Sequence, residues 1–264
     1  MLPDSYGMSQ LFWLALCILM IGMHKGGFPV GGIALPLMIL IWPNQASAAR
    51  SSVSFMLPVL CVMDVVALGF YRRKIVWAAI LPLIPGTLVG VAIGVTIFAG
   101  GDKALVSLSD QSLKLVIGCI GILFVGYRAS RKWLMNRPRE DSQPGIKRGT
   151  VFGAIAGLTS TLAHAGGPPI QMYLLPQRLD KLAFAGTTAA YFWGLNLLKV
   201  GPFCMMGRIT ADNLLLGVWM LPVMPLGVVL GYMAVRVVKQ EHYTGLIYVV
   251  LLCTSMMLIV KAVH

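Results

Sequence analysis

The sequence predicts an all-α polytopic membrane protein built from two homologous four-segment repeats. Three observations predict this class: the apolar composition, the length of the apolar runs, and a second half that repeats the first. Hydrophobic residues make up 58% of the 264 positions and charged residues 11%, whereas a soluble domain is about 45–50% apolar and about 25% charged. A soluble fold of this size would need a charged surface that this chain lacks.

The spanning segments are predicted to be helices rather than strands of a barrel. Only helices and closed barrels satisfy their backbone hydrogen bonds inside lipid. Barrel strands alternate polar and apolar residues, but Val116–Val125 and Gly245–Val260 are apolar on every face. These runs therefore predict helices surrounded by lipid and by other helices.

Eight apolar segments follow one another along the chain, and the first and fifth are interrupted by Gly and Pro. A helical span needs roughly 20 apolar residues, which most of these runs supply. The predicted segments are Gln10–Trp42, Ala46–Phe70, Ile75–Ala99, Gln111–Tyr127, Thr150–Gln177, Leu182–Met206, Asn213–Val237 and Tyr243–Val263.

A basic linker, 128–148, separates an N-terminal repeat, 1–127, from a C-terminal repeat, 149–264. The net charge of the chain is +12, and Lys and Arg in short loops mark the cytoplasmic side of a membrane protein. We therefore expect the linker and the Arg72–Lys74 loop on that side. A nucleic-acid partner is not expected, because such a partner needs a basic soluble domain.

The two repeats align at a constant offset of 140 residues. His24 is matched by His164, and rare Gly and Pro residues recur at the same offset. The matched positions of the first half are His24, Gly26, Gly27, Pro29, Pro36, Pro82 and Pro85, paired with His164, Gly166, Gly167, Pro169, Pro176, Pro222 and Pro225. Internal repeats of this kind are typical of transporters.

The two interrupted segments decide the orientation of the repeats. If each crosses the membrane, the repeats are parallel; if each is re-entrant, six full crossings remain and the repeats are inverted. Gln10–Met23 and Val30–Trp42 would each be about 20 Å long as helices, and together they overfill a hydrocarbon core of roughly 30 Å. The re-entrant arrangement also leaves more Lys and Arg on the cytoplasmic side, so inverted repeats are favoured.

The two breaks share the pattern His-x-Gly-Gly-x-Pro. Adjacent Gly followed by Pro cannot continue a regular helix, so each break predicts a cavity. The half-helix that follows would present free N–H groups and a positive dipole end, which suit an anion. His24 and His164 can bond an oxyanion or carry a proton, and Lys25 adds a positive charge that Ala165 does not.

Other polar residues lie inside the predicted spans. Asn196 and Lys199 are three residues apart and therefore share a helical face, while Asp64 is the acidic residue placed well inside a span. Asp64 can neutralise a lysine or carry a coupling proton, and Thr187 can donate to a substrate or to its own helix. Two fixed bases against one acid favour an anionic substrate.

The second half resembles the sulfite exporter TauE/SafE family. The resemblance rests on Ala-His-Ala-Gly-Gly-Pro-Pro at 163–169, Tyr-Leu-Leu-Pro-Gln at 173–177, Thr187, and Asn196 with Lys199; the stretch 24–36 resembles the glycine-rich first repeat of the family. It implies a multi-pass protein of the bacterial inner membrane that exports or takes up sulfite, organosulfonates or related organic acids.

The predicted function is therefore a secondary transporter that holds a small anion between the two broken helices. A passive anion channel, a metal-ion transporter and a membrane-embedded enzyme are the alternatives, the last two disfavoured because the spans hold neither a metal-ligand set nor paired carboxylates. No enzyme activity, cofactor or metal is expected, the coupling ion is expected to be a proton, and the oligomeric state, with a homodimer as one option, stays open. The predicted substrate-binding residues are His24, Lys25, Gly26, Gly27, His164, Gly166, Gly167, Pro168, Thr187, Asn196 and Lys199, with Asp64 as the candidate coupling residue.

Overall fold

The computed structural model describes residues 7–30, 34–42, 48–100, 119, 122, 126 and 145–263. Within these residues the regular structure is helical and contains no strand, which confirms the all-α class. Most of the predicted fourth segment and most of the basic linker lie outside the described residues. The total of eight segments therefore stays a prediction.

The helices follow the predicted segments, with several differences in their bounds. One-turn 3₁₀ helices lie at Leu81–Leu83 and Leu175–Gln177. The α-helices are α1 Met8–Lys25, α2 Ala34–Ile41, α3 Ala48–Tyr71, α4 Trp77–Ile80, α5 Ile84–Gly100, α6 Ile146–Ala163, α7 Gly167–Leu174, α8 Lys181–Met205, α9 Ala211–Trp219, α10 Val223–Val237 and α11 Gln240–Val263.

Three stretches of the described residues are long and apolar enough to cross a bilayer: Met8–Lys25, Ser51–Tyr71 and Trp77–Ala99. A fourth span results if α9 and α10, which meet at an angle of 55°, are taken together. The seventh segment predicted from the sequence, Asn213–Val237, is therefore bent within its length. Pro222 caps α10 at this bend, and a proline inside a helix removes a hydrogen bond and clashes with the preceding turn.

A smaller irregularity occurs at the equivalent place in the first half, where Trp77–Ala99 continues as a single span. Pro82 lies in the 3₁₀ turn between α4 and α5, 140 residues before Pro222. The two repeats therefore share a local backbone feature as well as a residue pattern.

The chain forms two compact units, and each unit combines segments from both sequence halves. Unit 1 consists of Met1–Val76 and Lys181–Lys239, and unit 2 of Trp77–Asp180 and Gln240–His264. The two compact units thus have different boundaries from the two sequence repeats, and the repeat boundaries stay a prediction. Each unit is described by itself.

In unit 1, α1 packs against α10 and α3 packs against α8. Gly22 approaches Gly227 so closely that a Cβ on Gly22 would lie 2.9 Å from the Gly227 Cα. One turn further on, Gly26 approaches Gly231; because both numbers rise together, α1 and α10 are parallel.

The pair formed by α3 and α8 runs in the opposite sense. Asp64 contacts Asn196, whereas Tyr71, at the end of α3, contacts Gly186 near the start of α8. As residue numbers rise along α3 they fall along α8, so these two helices are antiparallel.

The first broken segment folds back on itself. The Tyr71 hydroxyl donates to the Gly26 carbonyl at 2.6 Å, so the C-terminal ends of α1 and α3 lie together and the two helices run in the same direction. The chain between them has to return, and α2 contacts both helices. The ring of Trp42, just after α2, lies 5.7 Å from that of Phe55, early in α3.

In unit 2, α5 packs closely against α6. Gly86 lies against Thr150, and Gly94 against Thr161, so this pair is also parallel. Both units therefore contain a parallel pair made from the first segment of one repeat and the third segment of the other.

The second broken segment is likewise a hairpin. The Arg148 guanidinium, at the start of α6, donates to the Met172 carbonyl, near the end of α7, at 3.4 Å. The rings of Phe152 and Tyr173 are 6.1 Å apart. Because α6 is 18 residues long, an uninterrupted path would separate these residues by tens of ångströms.

Candidate functional site

The first break is a glycine C-cap of α1. Gly27 has φ = 101°; its N–H donates to the His24 carbonyl at 3.0 Å and the Phe28 N–H to the Met23 carbonyl at 3.0 Å. This pattern is the Schellman motif, which uses the left-handed conformation that glycine adopts without strain.

The N–H groups of Gly26 and Gly27 are used at the end of α1, whereas the donors predicted for an anion belong to the start of the following half-helix, where residues 31–33 lie outside the described residues. The Gly26 N–H donates to the Gly22 carbonyl at 2.8 Å, and the Val30 N–H to the Phe28 carbonyl at 2.8 Å. The turn that closes α1 and the residues just after it use these N–H groups. A helix end inside a packed bundle has to satisfy its backbone hydrogen bonds within the protein.

The first break lies at one end of unit 1 and is packed there. A Cβ on Gly27 would lie 2.8 Å from Ala185 Cβ, 2.9 Å from the Tyr71 hydroxyl and 3.1 Å from Val235 Cγ2, all close to helix ends. The backbone at Gly27 is therefore closely packed against residues of three neighbouring helices.

A charged cluster lies beside this break. Lys25 Nζ is 2.6 Å from Asp64 Oδ1, and the Asn196 amide donates to Asp64 Oδ2 at 2.6 Å. Lys25 Nζ also lies 5.1 Å from the centre of the Phe192 ring, a distance at which a cation is attracted to the ring face. Three helices thus meet through one carboxylate.

Lys199 belongs to the same cluster. Its side chain is fully buried, and it interacts electrostatically with Lys25, Asp64 and Cys61. Asn196 is also buried, so the predicted shared face of α8 points into unit 1. The cluster therefore contains two lysines and one carboxylate, with a formal excess of one positive charge.

The remaining predicted residues of unit 1 have different surroundings. His24 Nδ1 is buried and has no hydrogen-bond partner among the described residues. The Thr187 hydroxyl accepts from the Val76 N–H at 3.0 Å, so it fastens the chain after α3 to α8. That contact joins the loop after α3 to α8.

The second break is built differently. His164 ends α6 in the left-handed conformation with φ = 49°, which is uncommon for a residue other than glycine. Its N–H donates to the Ser160 carbonyl at 3.0 Å, and the Ala165 N–H to the Thr159 carbonyl at 3.2 Å.

Helix α7 then begins at Gly167, with Gly166 as its N-cap. Pro168 and Pro169 occupy its first turn and have no N–H, so α7 carries fewer donors than predicted for an anion site. A Cβ on Gly167 would meet nothing within 4 Å. This break is therefore open where the first is packed.

The structure brings together one part of the predicted site. Lys25, Asp64, Asn196 and Lys199 form one cluster in unit 1, next to Gly26. His164, Gly166, Gly167 and Pro168 belong to unit 2, and the convergence of the two breaks stays a prediction.

Sequence reasoning missed two residues of this site, Tyr71 and Phe192. Tyr71 directly precedes the Arg72–Lys74 loop and reads as an aromatic at the membrane interface. Phe192 is one of several aromatic residues in its segment and has no polar group that would single it out. Both become visible only when α1 is placed against α3 and α8.

Metal binding finds no support in the described part of the chain, where no group of three or more His, Cys, Asp or Glu side chains is placed to hold an ion. Comparison with known proteins gives one match. The sequence model of a family described as sulfite exporter TauE/SafE matches residues 14–258. No curated protein and no solved structure matches the chain.

Proposed function

The chain belongs to the sulfite exporter TauE/SafE family, and from this premise we propose that it is a secondary transporter of small anions. It is an integral membrane protein, since the family is one of membrane transporters rather than enzymes and the described helices include long apolar spans. The proposed substrate is sulfite, an organosulfonate or a related organic acid, and the proposed location is the bacterial inner membrane.

The observation that carries the proposal is the buried cluster of Lys25, Asp64, Asn196 and Lys199. Ionisable side chains in a span are costly and mark substrate pathways. Lys199 is fully buried, and Lys25 has 9% of its side chain exposed, so both are shielded from bulk water. An excess of one positive charge in such surroundings attracts an anion and repels a cation.

We propose that Lys199 and Lys25 bind the anion directly and that Asn196 orients it. Lysine provides three donors without an acceptor, which suits the oxygens of a sulfur oxyanion. His24 in unit 1, and His164 and Gly167 in unit 2, remain proposed substrate-binding residues.

Transport by purified protein in liposomes tests this function. Labelled sulfite, sulfoacetate and methanesulfonate are offered separately, and saturable uptake of at least one is expected. Lys199→Met should lower the uptake by more than about tenfold, because a hydrogen bond to a charged group contributes about 1.5–3 kcal/mol.

Leu197→Met is the matched control, since Leu197 is 54% exposed and lies two residues from Lys199. Uptake in this variant should equal that of the wild type. No saturable uptake of any of the three anions by folded protein would contradict the proposed function, and a non-saturating conductance would instead support a channel.

We further propose that the repeats are inverted and that both broken segments are re-entrant. The support is the antiparallel arrangement of α3 and α8, which are the second segments of the two repeats. Parallel repeats would make these helices run in the same direction. The hairpins formed by α1 with α2 and by α6 with α7 agree with this arrangement.

Cysteine labelling tests the orientation. Lys147→Cys and Asp180→Cys flank the second broken segment and are made in a protein without the five native cysteines. With a re-entrant segment, a membrane-impermeant maleimide should label both from the cytoplasmic side. Asp212→Cys, beyond α8, should label from the opposite side; labelling of Lys147→Cys and Asp180→Cys from opposite sides would instead require a crossing segment.

A further inference from the structure

The Asp64 carboxylate is held at both of its oxygens. Lys25 pairs with Oδ1 and the Asn196 amide donates to Oδ2, each at 2.6 Å. The other end of the same amide, Asn196 Oδ1, is buried and has no hydrogen-bond partner among the described residues. A buried acceptor without a donor is rare in a folded protein and calls for a functional reason.

An asparagine amide offers a donor and an acceptor at the same fork. Its NH₂ group bonds an ionised carboxylate, as it does here. If the amide turns over, its oxygen accepts a bond from a protonated carboxylic acid. Asn196 can therefore bond Asp64 in both protonation states, and the unused Oδ1 is the acceptor that the protonated state requires.

The charges of the cluster decide when Asp64 would need a proton. The charged and titratable groups around Asp64 are Lys25 on α1, Lys199 on α8 and Cys61 on its own helix. A singly charged anion would neutralise the cluster with Asp64 ionised. A doubly charged anion would leave one negative charge in excess, and an unbalanced buried charge is costly.

We propose that Asp64 couples transport to protons according to the charge of the anion. When a doubly charged anion binds Lys25 and Lys199, Asp64 releases Lys25 and takes one proton from solvent onto a carboxylate oxygen, and the amide of Asn196 turns over so that this O–H donates a hydrogen bond to Asn196 Oδ1. One O–H bond forms, no electrons are transferred, and the proton leaves when the anion leaves. A singly charged anion moves without a proton. This inference rests on the proposed anion transport.

Simultaneous measurement of anion and proton movement tests the coupling. Liposomes containing a pH-sensitive dye receive sulfoacetate, which carries two charges, or methanesulfonate, which carries one. The wild type should move one proton with each sulfoacetate and none with methanesulfonate. In Asp64→Asn the proton-to-sulfoacetate ratio should fall to near zero, whatever the anion flux, and the preference for sulfoacetate over methanesulfonate should rise.

The wild type alone provides a second measurement, independent of whether Asp64→Asn folds. Calorimetric titration in two buffers of different ionisation enthalpy gives the number of protons taken up on binding. The protein should take up about one more proton when it binds sulfoacetate than when it binds methanesulfonate.

Equal proton counts for the two anions, or an unchanged ratio in Asp64→Asn, would overturn the coupling and leave anion transport standing. Absence of flux and binding for every anion would overturn the proposed function, and the coupling with it.

Discussion

The two broken segments carry the same motif and use it differently. In the first, Gly27 closes α1 in a left-handed turn and is packed against the ends of neighbouring helices. In the second, His164 takes the left-handed position, and Gly167 faces open space within its unit. A shared motif therefore does not imply a shared role.

The glycines of the two breaks differ in whether packing explains them. The Gly26 and Gly27 positions are explained by close contacts and by backbone conformation. Neither reason applies to Gly167, whose φ is not positive and whose surroundings would accept a side chain. Packing and backbone conformation therefore explain the glycines of the first break but not Gly167, which stays a proposed substrate-binding residue.

The largest expected difference between the breaks comes from the charge at the second position of the His-x-Gly-Gly-x-Pro pattern, Lys25 in the first break and Ala165 in the second. Lys25→Met removes the partner of a buried carboxylate and should lower the free energy of unfolding by about 3 kcal/mol. Ala165→Met, at the equivalent position, removes no ion pair and should cost much less. Thermal unfolding in detergent compares the two variants.

Lys25→Met combined with Asp64→Asn should recover most of the lost stability, because the net charge of the buried cluster is then the same as in the wild type. Equal melting temperatures for Lys25→Met and the wild type would show that the pair of Lys25 and Asp64 contributes nothing to the fold.

The next difference concerns the glycines themselves. A Cβ at Gly26 would overlap the Val228 oxygen and lie 2.8 Å from the Tyr232 nitrogen, so Gly26→Ala should destabilise the protein by about 2 kcal/mol through overpacking. Gly167→Ala should leave the melting temperature unchanged and reduce anion uptake instead. A destabilised Gly167→Ala would mean that the second break is packed after all.

A smaller effect is expected from the hydroxyl that holds the first break. Tyr71→Phe removes the hydrogen bond to the Gly26 carbonyl and should cost about 1 kcal/mol. Tyr173→Phe is the control in unit 2, because the Tyr173 hydroxyl is buried and has no hydrogen-bond partner among the described residues. If both variants melt alike, the hydrogen bond to Gly26 is not stabilising.

The smallest effect is a gain in stability at the second break. His164→Gly removes the strain of a left-handed backbone, which costs about 1–2 kcal/mol. Glycine also raises the conformational entropy of the unfolded chain, which opposes folding by about 0.5–1 kcal/mol. The expected net gain in the free energy of unfolding is therefore about 0.5–1 kcal/mol. Anion uptake should be lost, as it should be in His164→Ala, while insertion into the membrane is retained. Normal uptake in both variants would remove His164 from the proposed pathway.

Much of the fold was predictable because it depends on composition and periodicity. Apolar runs such as Ser51–Tyr71 have to be helical in lipid, and Asn196 and Lys199 share a face because they are three residues apart. The bend before α10 was missed although Pro222 marks it, since many prolines are accommodated in spanning helices. The packing of the first break was missed because Gly-Gly-x-Pro reads alike whether it borders a cavity or another helix.

The sequence by itself determined that this is a helical membrane protein of the TauE/SafE family and which residue types could serve an anion. Both follow from local properties, namely hydropathy, spacing and the rarity of charge in a span. Only the tertiary structure decided that Lys25 pairs with Asp64, that Asn196 bonds the same carboxylate, and that α3 and α8 are antiparallel. These contacts join residues far apart in the chain, and a lysine in a sequence carries no record of which helix will lie beside it.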